Sequence, residues 1–316
     1  MTQANAVLRP DEAEIDIGAR STTVSVMAKK AAEPVYKGEG YWRNVGKRLR
    51  RDPTTVVCGL IVLAITLISI FAPYIAPADP YQAKMLGRLA PIGTAGHLLG
   101  TDELGRDMLS RLIYGGRISL MMGLTPVGVA LLVGGLLGLI AGYVGGGINM
   151  LIMRFMDVFY AFPSIMLAIA ISGALGAGIR NGMIALTLVL IPSITRVTES
   201  VTTQARSYDF VDAARATGAS TRRIIVTHVL SNVLGPVFIF ATSLVSVSII
   251  IASGLSFLGL GVRPPEADWG LMLSTLRQAI YINPVLCALP GIMIFVTSLC
   301  FNLMSDGLRS AMDVRL

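Results

Sequence analysis

The sequence predicts an all-α polytopic membrane protein with six transmembrane helices, and two observations support this fold class. The chain of 316 residues is 53% hydrophobic and only 14% charged. A soluble protein carries roughly 25% charged residues because most of its surface meets water. The apolar residues also gather in long stretches without Asp, Glu, Lys or Arg. Such stretches suit a bilayer, where a helix needs about 20 apolar residues and satisfies its backbone polar groups internally.

Six stretches are candidates for membrane spans. In chain order they cover residues 55–72, 118–153, 156–175, 182–194, 233–255 and 283–304. The second includes a turn at Gly145–Gly147, because glycine accepts the backbone angles that end a helix. The fourth is short and is bounded by Arg180 and Arg196. The prediction of six spans therefore depends on this fourth stretch.

The positive charges predict the orientation of the chain. With the N-terminus inside, the cytoplasmic segments hold 18 Lys and Arg residues and the outer segments hold eight. Cytoplasmic loops carry the excess of these residues, so both termini are predicted to be cytoplasmic. The basic cluster at residues 47–51 contributes most, as a topology anchor rather than as a specific site for anionic lipid. This distribution also explains the net charge of +7 without a nucleic-acid surface.

The domain organisation follows from the first span. Residues 1–45 are predicted to form a mobile cytoplasmic tail, and residues 46–316 a six-span domain. That domain includes an outer segment at 74–116 and a cytoplasmic loop at 196–232. The first forty residues hold no apolar core of the kind found in cleaved signal peptides, so the first span is expected to remain as an anchor.

Several function classes lack their sequence signatures here. No phosphate-binding Gly-x-x-x-x-Gly-Lys-Ser/Thr loop is present, because Gly46-Lys47 is followed by Arg48. No Gly-x-Ser-x-Gly nucleophile motif occurs either, so the chain is not expected to be an enzyme. His97 and His228 fall on opposite predicted sides and the three cysteines are dispersed, which predicts no metal site. The predicted spans lack the mid-membrane acids and bases of ion-coupled carriers.

Two spacings within the spans predict helix contacts. Arg154 and Asp157 are three residues apart and share a helix face, which favours a local ion pair over a proton relay. Gly134, Gly138 and Gly142 stand four residues apart, which allows another helix to approach closely. That second helix belongs either to the same subunit or to a partner in a dimer.

The outer segment carries local helix and turn signals. Apolar residues at helical spacing between Leu104 and Ile113 predict an amphipathic helix, with Thr101 or Asp102 as its N-terminal cap. Asp102, Arg106 and Asp107 are expected to cap and pack rather than to bind a ligand. The prolines at 264–265, with Trp269 after them, predict a stiff outer hairpin.

The loop between the fourth and fifth predicted spans is the most informative segment. Residues 208–230 predict a short helix, a turn at Gly218 and a second helix. Phe210, Val211 and Ala214 are predicted to share one side of the first helix, and the second presents Ile224, Ile225, His228 and Val229. A short helix of small residues is suited to a groove on a partner protein. Arg222 and Arg223 would favour an acidic rim around that groove.

This loop resembles the Glu-Ala-Ala loop of ABC-importer permease subunits, through Asp212-Ala213-Ala214 followed after three residues by Gly218. In that family the loop holds a coupling helix that sits in a cleft of the ATPase subunit. The resemblance implies that the ATPase-coupling residues are Phe210, Asp212, Ala213, Ala214, Gly218, Ala219 and Arg222. Two positions depart from the family pattern: Asp212 replaces Glu, and Ser231 stands where a proline commonly follows Leu230. The second departure leaves the end of the second helix open.

Further motifs between residues 45 and 316 resemble the dipeptide, oligopeptide and nickel branch of these permeases, specifically the second permease of a heterodimer. They are Leu99–Asp107, Ser110–Arg111, Gly116–Leu120, Ala141–Tyr143, Asp157, Pro163, Gly259–Gly261, Pro264–Pro265, Trp269–Gly270, Asn302–Met304 and Asp306–Arg309. The resemblance implies the type I ABC-importer permease fold and a location in the bacterial cytoplasmic (inner) membrane.

The resemblance also implies partners and a cargo. The partners are a homologous permease, two ABC ATPase subunits or domains, an extracytoplasmic solute-binding protein and membrane lipid. ATP and Mg are expected on the ATPases, with no cofactor on this chain and no nucleic-acid partner. Di- or oligopeptides are the expected cargo, and nickel, glutathione or another small solute stays open. From other classes, an ATPase-independent channel or carrier and a structural or receptor-type subunit stay open as well.

Overall fold

The computed structural model describes the backbone of residues 41–312 and the side chains from Val45 onward. Within these residues the regular elements are helices, with two isolated bridges and no strand, as the sequence predicts. Residues 1–40, which make up most of the predicted N-terminal tail, lie outside the described residues, and so do residues 313–316. From Val45 onward the described chain forms one compact unit.

The helices, in chain order, are α1 (Tyr41–Arg51), α2 (Pro53–Ile70), α3 (Ala72–Ile75), α4 (Met108–Val144), α5 (Gly146–Tyr160), α6 (Ser164–Leu175), α7 (Ile179–Arg206), α8 (Asp209–Ala216), α9 (Thr221–Arg223), α10 (Leu230–Phe257), α11 (Trp269–Leu276) and α12 (Pro284–Met312). A π-helical segment, Ile224–Val229, joins α9 to α10, so that residues 221–257 form one long helix. Short 3-10 turns lie at Met85–Gly87 and Arg277–Tyr281.

Among the described residues, five helices are long and apolar enough to cross a membrane. They are α2, α4, α7, the continuous helix 221–257 and α12. The pair α5 and α6 makes a sixth span if the two are counted together, although they are bent by 85° relative to each other. The predicted number of spans is therefore confirmed, with one of them broken.

The predicted span boundaries need three corrections. The fourth span is not short, because α7 has 28 residues and continues past Arg196 while it packs against α4. The third is not one helix over 156–175, because the helix breaks before Pro163, which has no backbone N–H to continue it. The second and fifth begin earlier than predicted, at Met108 and Thr221. Sequence apolarity marks only the part of a helix inside the lipid, so helix extensions outside it are missed.

The N-terminal caps are aspartates placed directly before two membrane helices. Asp52 accepts hydrogen bonds from the backbone N–H groups of Thr54 and Thr55, both at 3.3 Å, at the start of α2. Asp107 accepts one from the N–H of Ser110 at 2.8 Å, at the start of α4. The predicted cap at Thr101 or Asp102 is therefore wrong, because the helix begins only at Met108. In both cases the carboxylate satisfies N–H groups that have no partner within the helix.

Helices α4 and α7 pack along a glycine seam formed by Gly134, Gly138 and Gly142. A Cβ atom placed on Gly138 would lie 2.5 Å from the carbonyl oxygen of Thr195. One placed on Gly142 would lie 2.6 Å from the carbonyl oxygen of Glu199. The three glycines therefore serve contact within the subunit, which settles the alternative that their spacing left open.

The end of the bundle away from α8 is closed by residues 76–107 and 258–283, which we call the cap. Arg106 Nε lies 2.6 Å and Arg111 Nε 3.2 Å from Asp102 Oδ2, and the three side chains are almost fully buried. Trp269 is also fully buried, and its indole N–H donates to the carbonyl of Leu112 at 2.9 Å. These contacts agree with the predicted packing role of the charged residues.

Candidate functional site

Helix α8, the predicted coupling helix, lies at the end of α7 and is anchored by one apolar residue. Val211 is fully buried and belongs to an apolar cluster that includes Ala205, Ile224 and Val229. Ala214, one turn later, is partly buried against the same cluster. Because α8 has only eight residues, it would be marginal as an isolated helix. Its position therefore depends on this packing.

The C-terminal end of α8 is fixed by the turn that the sequence predicts at Gly218. The N–H of Gly218 donates to the carbonyl of Arg215 at 2.9 Å, and the N–H of Ala219 donates to that of Ala214 at 3.1 Å. These two bonds form a Schellman motif, which needs a left-handed residue after the cap. Gly218 has φ +78°, and a Cβ atom there would meet nothing within 4 Å. The glycine is therefore required by the backbone and not by crowding.

Seven residues carry the predicted coupling role, and the structure brings them together around α8. Phe210, Asp212, Ala213, Gly218 and Arg222 are exposed, and Ala214 and Ala219 are partly buried. One detail of the prediction is wrong: Phe210 does not share the inward side of Val211 and Ala214. Phe210 lies on the exposed side, because the packing of α8 against the bundle decides which of its residues face inward.

Phe210 belongs to an aromatic patch, with Tyr208 and Phe210 exposed and His228 partly buried, that the sequence prediction did not define. The ring centroids of Tyr208 and Phe210 are 5.7 Å apart, and those of Phe210 and His228 are 6.3 Å apart. Tyr208 precedes α8 and His228 lies in the π-helical segment, so the patch joins both sides of the Gly218 turn. In the sequence, the one signal of this patch is that Tyr208 stands two residues before Phe210.

The charges of α8 follow the helix dipole. Asp209 and Asp212 lie in the first turn and Arg215 in the last, where each is favourable. Asp212 Oδ1 accepts from Arg215 Nη1 at 3.0 Å, with side chains 68% and 45% exposed. An exposed pair of this kind contributes little to stability. The carboxylate of Asp212 therefore remains accessible to a partner protein.

The second helix of the loop does not end near Ser231, which resolves the question left by the missing proline. The chain continues from α9 through the π-helical segment into α10 without a break, and the N–H of Leu230 donates to the carbonyl of Ile225. Ser231 lies inside the helix and its hydroxyl donates to the carbonyl of Thr227 at 3.2 Å. A movement of the Gly218 turn would therefore act directly on a membrane helix.

Two polar contacts tie α7, which leads into α8, to the neighbouring helices α4 and α5. Arg206, the last residue of α7, donates from Nη1 to the carbonyl of Tyr143 at 2.8 Å. Asn149 of α5 donates from Nδ2 to Glu199 Oε1 of α7 at 2.6 Å. Through these contacts α7 holds the C-terminal end of α4 and the first turn of α5.

Asp157 forms its ion pair with a residue other than the predicted one. Its Oδ1 lies 2.6 Å from Nη2 of Arg196, on α7, so the predicted pair with Arg154 is wrong. The guanidinium of Arg196 also stacks over the ring of Tyr160, with its carbon 4.2 Å from the ring centroid. The spacing of three residues allowed the local pair, but the approach of α7 provided a better placed cation. Among the described residues no His, Cys, Asp or Glu cluster could hold a metal.

Comparison with known proteins identifies the class. Residues 134–316 match the family described as the inner membrane component of binding-protein-dependent transport systems. The chain is 40% identical over 284 residues to the dipeptide transport system permease protein DppC of Alkalihalophilus pseudofirmus, covering 90% of this chain and 93% of that protein. The chain therefore belongs to this family, whose members are the permeases of ABC importers.

More specific similarities place the chain in the peptide branch of that family. Residues 40–91 match the N-terminal transmembrane domain of oligopeptide transport permease C. The chain is 44% identical over 262 residues to the di/tripeptide permease DppC of Pseudomonas aeruginosa (81% of this chain, 86% of that protein). It is 38% identical over 275 residues to the glutathione permease GsiD of Pectobacterium atrosepticum (87% and 91%). The resemblance drawn from the sequence motifs is thereby confirmed.

The fold is also that of a known importer. The structure of the MetNI methionine ABC transporter in an inward-facing conformation gives a TM-score of 0.54, at 16% identity, over 65% of this chain and 97% of that chain. At this identity the similarity concerns the fold alone. It agrees with the predicted type I permease fold.

Proposed function

We propose that this chain is the second permease subunit of an ATP-driven peptide importer. It forms the translocation path with a homologous permease, and α8 docks into a cleft on a separate ATPase subunit. ATP and Mg bind to that subunit, since this sequence contains no phosphate-binding loop. An external solute-binding protein delivers the cargo on the side of the cap.

The geometry of α8 is the observation that carries the coupling proposal. A helix that transmits force must be stiff and fixed to the moving part, and yet expose a surface to its partner. Val211 fixes α8 inward and the Schellman motif at Gly218 fixes its end. Phe210 and Ala213 remain exposed on the other side. The long helix 221–257 and the contact of Arg206 with α4 provide two direct routes from α8 into the membrane helices.

The orientation proposal places α8 and both termini in the cytoplasm. The count of 18 against eight Lys and Arg residues supports it. The basic residues in the last turn of α1, next to the first span, make the largest contribution. With this orientation the cap, which closes the opposite end of the bundle, faces the solute-binding protein.

The cargo proposal rests on the names of the relatives. Dipeptide, di/tripeptide and D,D-dipeptide permeases are between 37% and 44% identical to the chain. Glutathione is the second candidate, because two glutathione permeases are 38% and 39% identical. Both cargo types are short peptides with charged termini, so one path could accept either. A channel or carrier without an ATPase is disfavoured, since it would leave the exposed face of α8 without a role.

Replacement of Gly218 tests the coupling proposal. In Gly218→Val a β-branched residue must adopt φ +78°, at a cost of roughly 1–2 kcal/mol, while the side chain projects toward the ATPase. Gly259→Val is the matched control, because Gly259 has φ +79°, open space around it and the same pattern of two closing hydrogen bonds, at the end of α10. Both variants would be assembled with their partners in proteoliposomes, with ATP hydrolysis and trialanine uptake measured together.

We expect Gly218→Val to lose uptake, either because ATP hydrolysis becomes independent of the loaded binding protein or because the ATPase no longer associates. Gly259→Val should keep both activities coupled. Normal uptake by Gly218→Val would refute the role of α8. The cargo is tested separately, on the wild-type complex. Competition between trialanine and glutathione for stimulation of ATP hydrolysis would distinguish the two cargo types.

A further inference from the structure

We propose that Asp157 and Arg196 form a charged cargo subsite at the cytoplasmic part of the translocation path. In this subsite Arg196 receives the carboxylate of a passing peptide and Asp157 receives its ammonium group. The choice of cargo and the cytoplasmic orientation rest on the proposed function, whereas the placement of the pair on an aqueous path rests on the geometry below.

Neighbouring side chains hold the pair in place, and one side of the pair is open. Asp157 Oδ1 and Arg196 Nη2 are 2.6 Å apart, and the ring of Tyr160 lies under the guanidinium at 4.2 Å. The hydroxyl of Tyr160 is in turn 3.1 Å from Oγ of Ser193. Both charged side chains nevertheless remain 47% exposed. An ion pair built only to hold two helices together has no need of so much free surface.

The position of the pair along α7 argues against contact with lipid. Arg196 lies 17 residues after Ile179, which corresponds to about 26 Å of helix, and about 15 Å before Arg206. The hydrocarbon core is about 30 Å thick, so a core that begins at Ile179 ends within about one turn after Arg196, and the pair lies just inside its cytoplasmic edge. A charged pair at this depth faces a water-filled cavity, the membrane interface or another protein chain. The exposed side of the pair needs one of these three environments.

The surroundings favour the water-filled path. A cavity of about 210 Å³ opens beside the pair, where the chain bends between α5 and α6. Its lining combines apolar and hydroxyl groups, from Phe159, Tyr160, Phe162, Leu167, Val189 and Ser193. A helix broken by 85° leaves room that two straight packed helices would fill. Asp157 and Arg196 do not line this cavity themselves, but Tyr160 lines it and its ring lies under the guanidinium of Arg196.

The chemistry of this surface fits a zwitterionic peptide. A guanidinium binds a carboxylate through two parallel hydrogen bonds, and a carboxylate binds an ammonium group through charge-assisted bonds. Without cargo the two residues neutralise each other, so the path carries no unpaired charge. An extended tripeptide separates its termini by about 10 Å, whereas Asp157 and Arg196 are 2.6 Å apart, so the pair binds one terminus at a time as the peptide passes. Its side chains then meet the apolar lining, which is suited to many different sequences.

Cysteine labelling in the assembled complex tests whether the pair lies on an aqueous path. Asp157→Cys should react with a water-soluble methanethiosulfonate that carries a sulfonate group. Phe155→Cys is the control, because Phe155 is 60% exposed but lies two residues away on another side of α5. The native Cys58, Cys287 and Cys300 are buried, and the unsubstituted chain measures their background. We expect labelling at position 157 to be at least tenfold faster than at position 155.

Charge restoration tests the cargo role. Loss of one charge-assisted hydrogen bond corresponds to roughly a tenfold or greater loss of uptake. We therefore expect Asp157→Cys and Arg196→Gln to lower trialanine uptake per ATP at least tenfold. Attachment of the sulfonate to Asp157→Cys should restore uptake, and attachment of a trimethylammonium group should not. Trialanine should also slow the labelling during turnover.

Three results would overturn the proposal: no labelling at position 157, unchanged uptake in both variants, or failure of either variant to assemble with the partner permease. The last would assign the pair to the subunit interface. Failure of the proposed function would look different, because the wild-type complex would then show no ATP-dependent uptake of trialanine. In that case labelling at position 157 would still report whether the path is there.

Discussion

The glycine seam between α4 and α7 gives the sharpest prediction about stability. In Gly138→Ala the added methyl group would lie 2.5 Å from the carbonyl oxygen of Thr195 and 2.6 Å from Cβ of Thr198. Optimal heavy-atom contact is about 3.5 Å or more, so the two helices must separate by roughly 1 Å. Neither neighbouring atom is the end of a flexible side chain, and the backbone itself has to move.

The magnitude follows from two opposing effects. Overpacking of this kind costs about 1–3 kcal/mol, and replacement of glycine by alanine in a helix gains about 1 kcal/mol. Gly135→Ala has the same gain without the cost, because a Cβ atom on Gly135 meets nothing within 4 Å. The helix-propensity gain cancels between the two variants. We therefore expect Gly138→Ala to be about 1–3 kcal/mol less stable than Gly135→Ala.

The assay is reversible unfolding of the purified chain in mixed micelles with increasing dodecyl sulfate, followed by circular dichroism. The comparison uses the free energies of unfolding of the two variants under identical conditions. Gly142→Ala should behave like Gly138→Ala, because its Cβ atom would lie 2.6 Å from the carbonyl of Glu199. Equal stability of Gly138→Ala and Gly135→Ala would show that the α4–α7 contact is looser than the structure indicates.

Three further predictions concern the first span, the cap and α8. The side-chain hydrogen bond from Thr55 lowers the pKa of Asp52. The stabilising effect of the Asp52 carboxylate should therefore be complete above about pH 4 and disappear as the pH falls further. Unfolding temperatures between pH 7 and 3 should show this loss in the wild type and not in Asp52→Asn. Arg106→Gln should lower the free energy of unfolding by about 3–5 kcal/mol, because it breaks a buried ion pair. In denaturant unfolding, the double variant with Asp102→Asn should lose less than the sum of the two single changes. Val211→Ala should remove about 2 kcal/mol of apolar burial and speed hydrogen exchange within α8, while the exchange of α4 remains unchanged.

Local signals made much of the α8 site predictable. A helix, a glycine turn and a second helix follow from the small residues before Gly218 and from the backbone angle that only glycine accepts easily. The aromatic patch of Tyr208, Phe210 and His228 was not predictable in the same way. It depends on how α8 lies against the π-helical segment, and that angle is set by the burial of Val211.

Pairing between distant residues was the part that sequence patterns could not provide. Arg154 was the natural partner for Asp157 by spacing, and Arg196 is its partner in the structure. Asp157 and Arg196 are 39 positions apart, and the sequence between them carries no local signal of their proximity. A charged side chain pairs with the counter-ion that tertiary packing brings nearest, and helical spacing lists only the neighbours on its own helix.

By itself the sequence determined the membrane class, the number of spans and the family, because apolar length, charge distribution and short motifs act locally along the chain. Only the tertiary structure decided that the glycines serve the α4–α7 contact and that one span breaks at Pro163. It also decided that Asp157 and Arg196 meet beside that break. These features depend on which helix faces which, and many helix arrangements can satisfy the same pattern of apolar stretches.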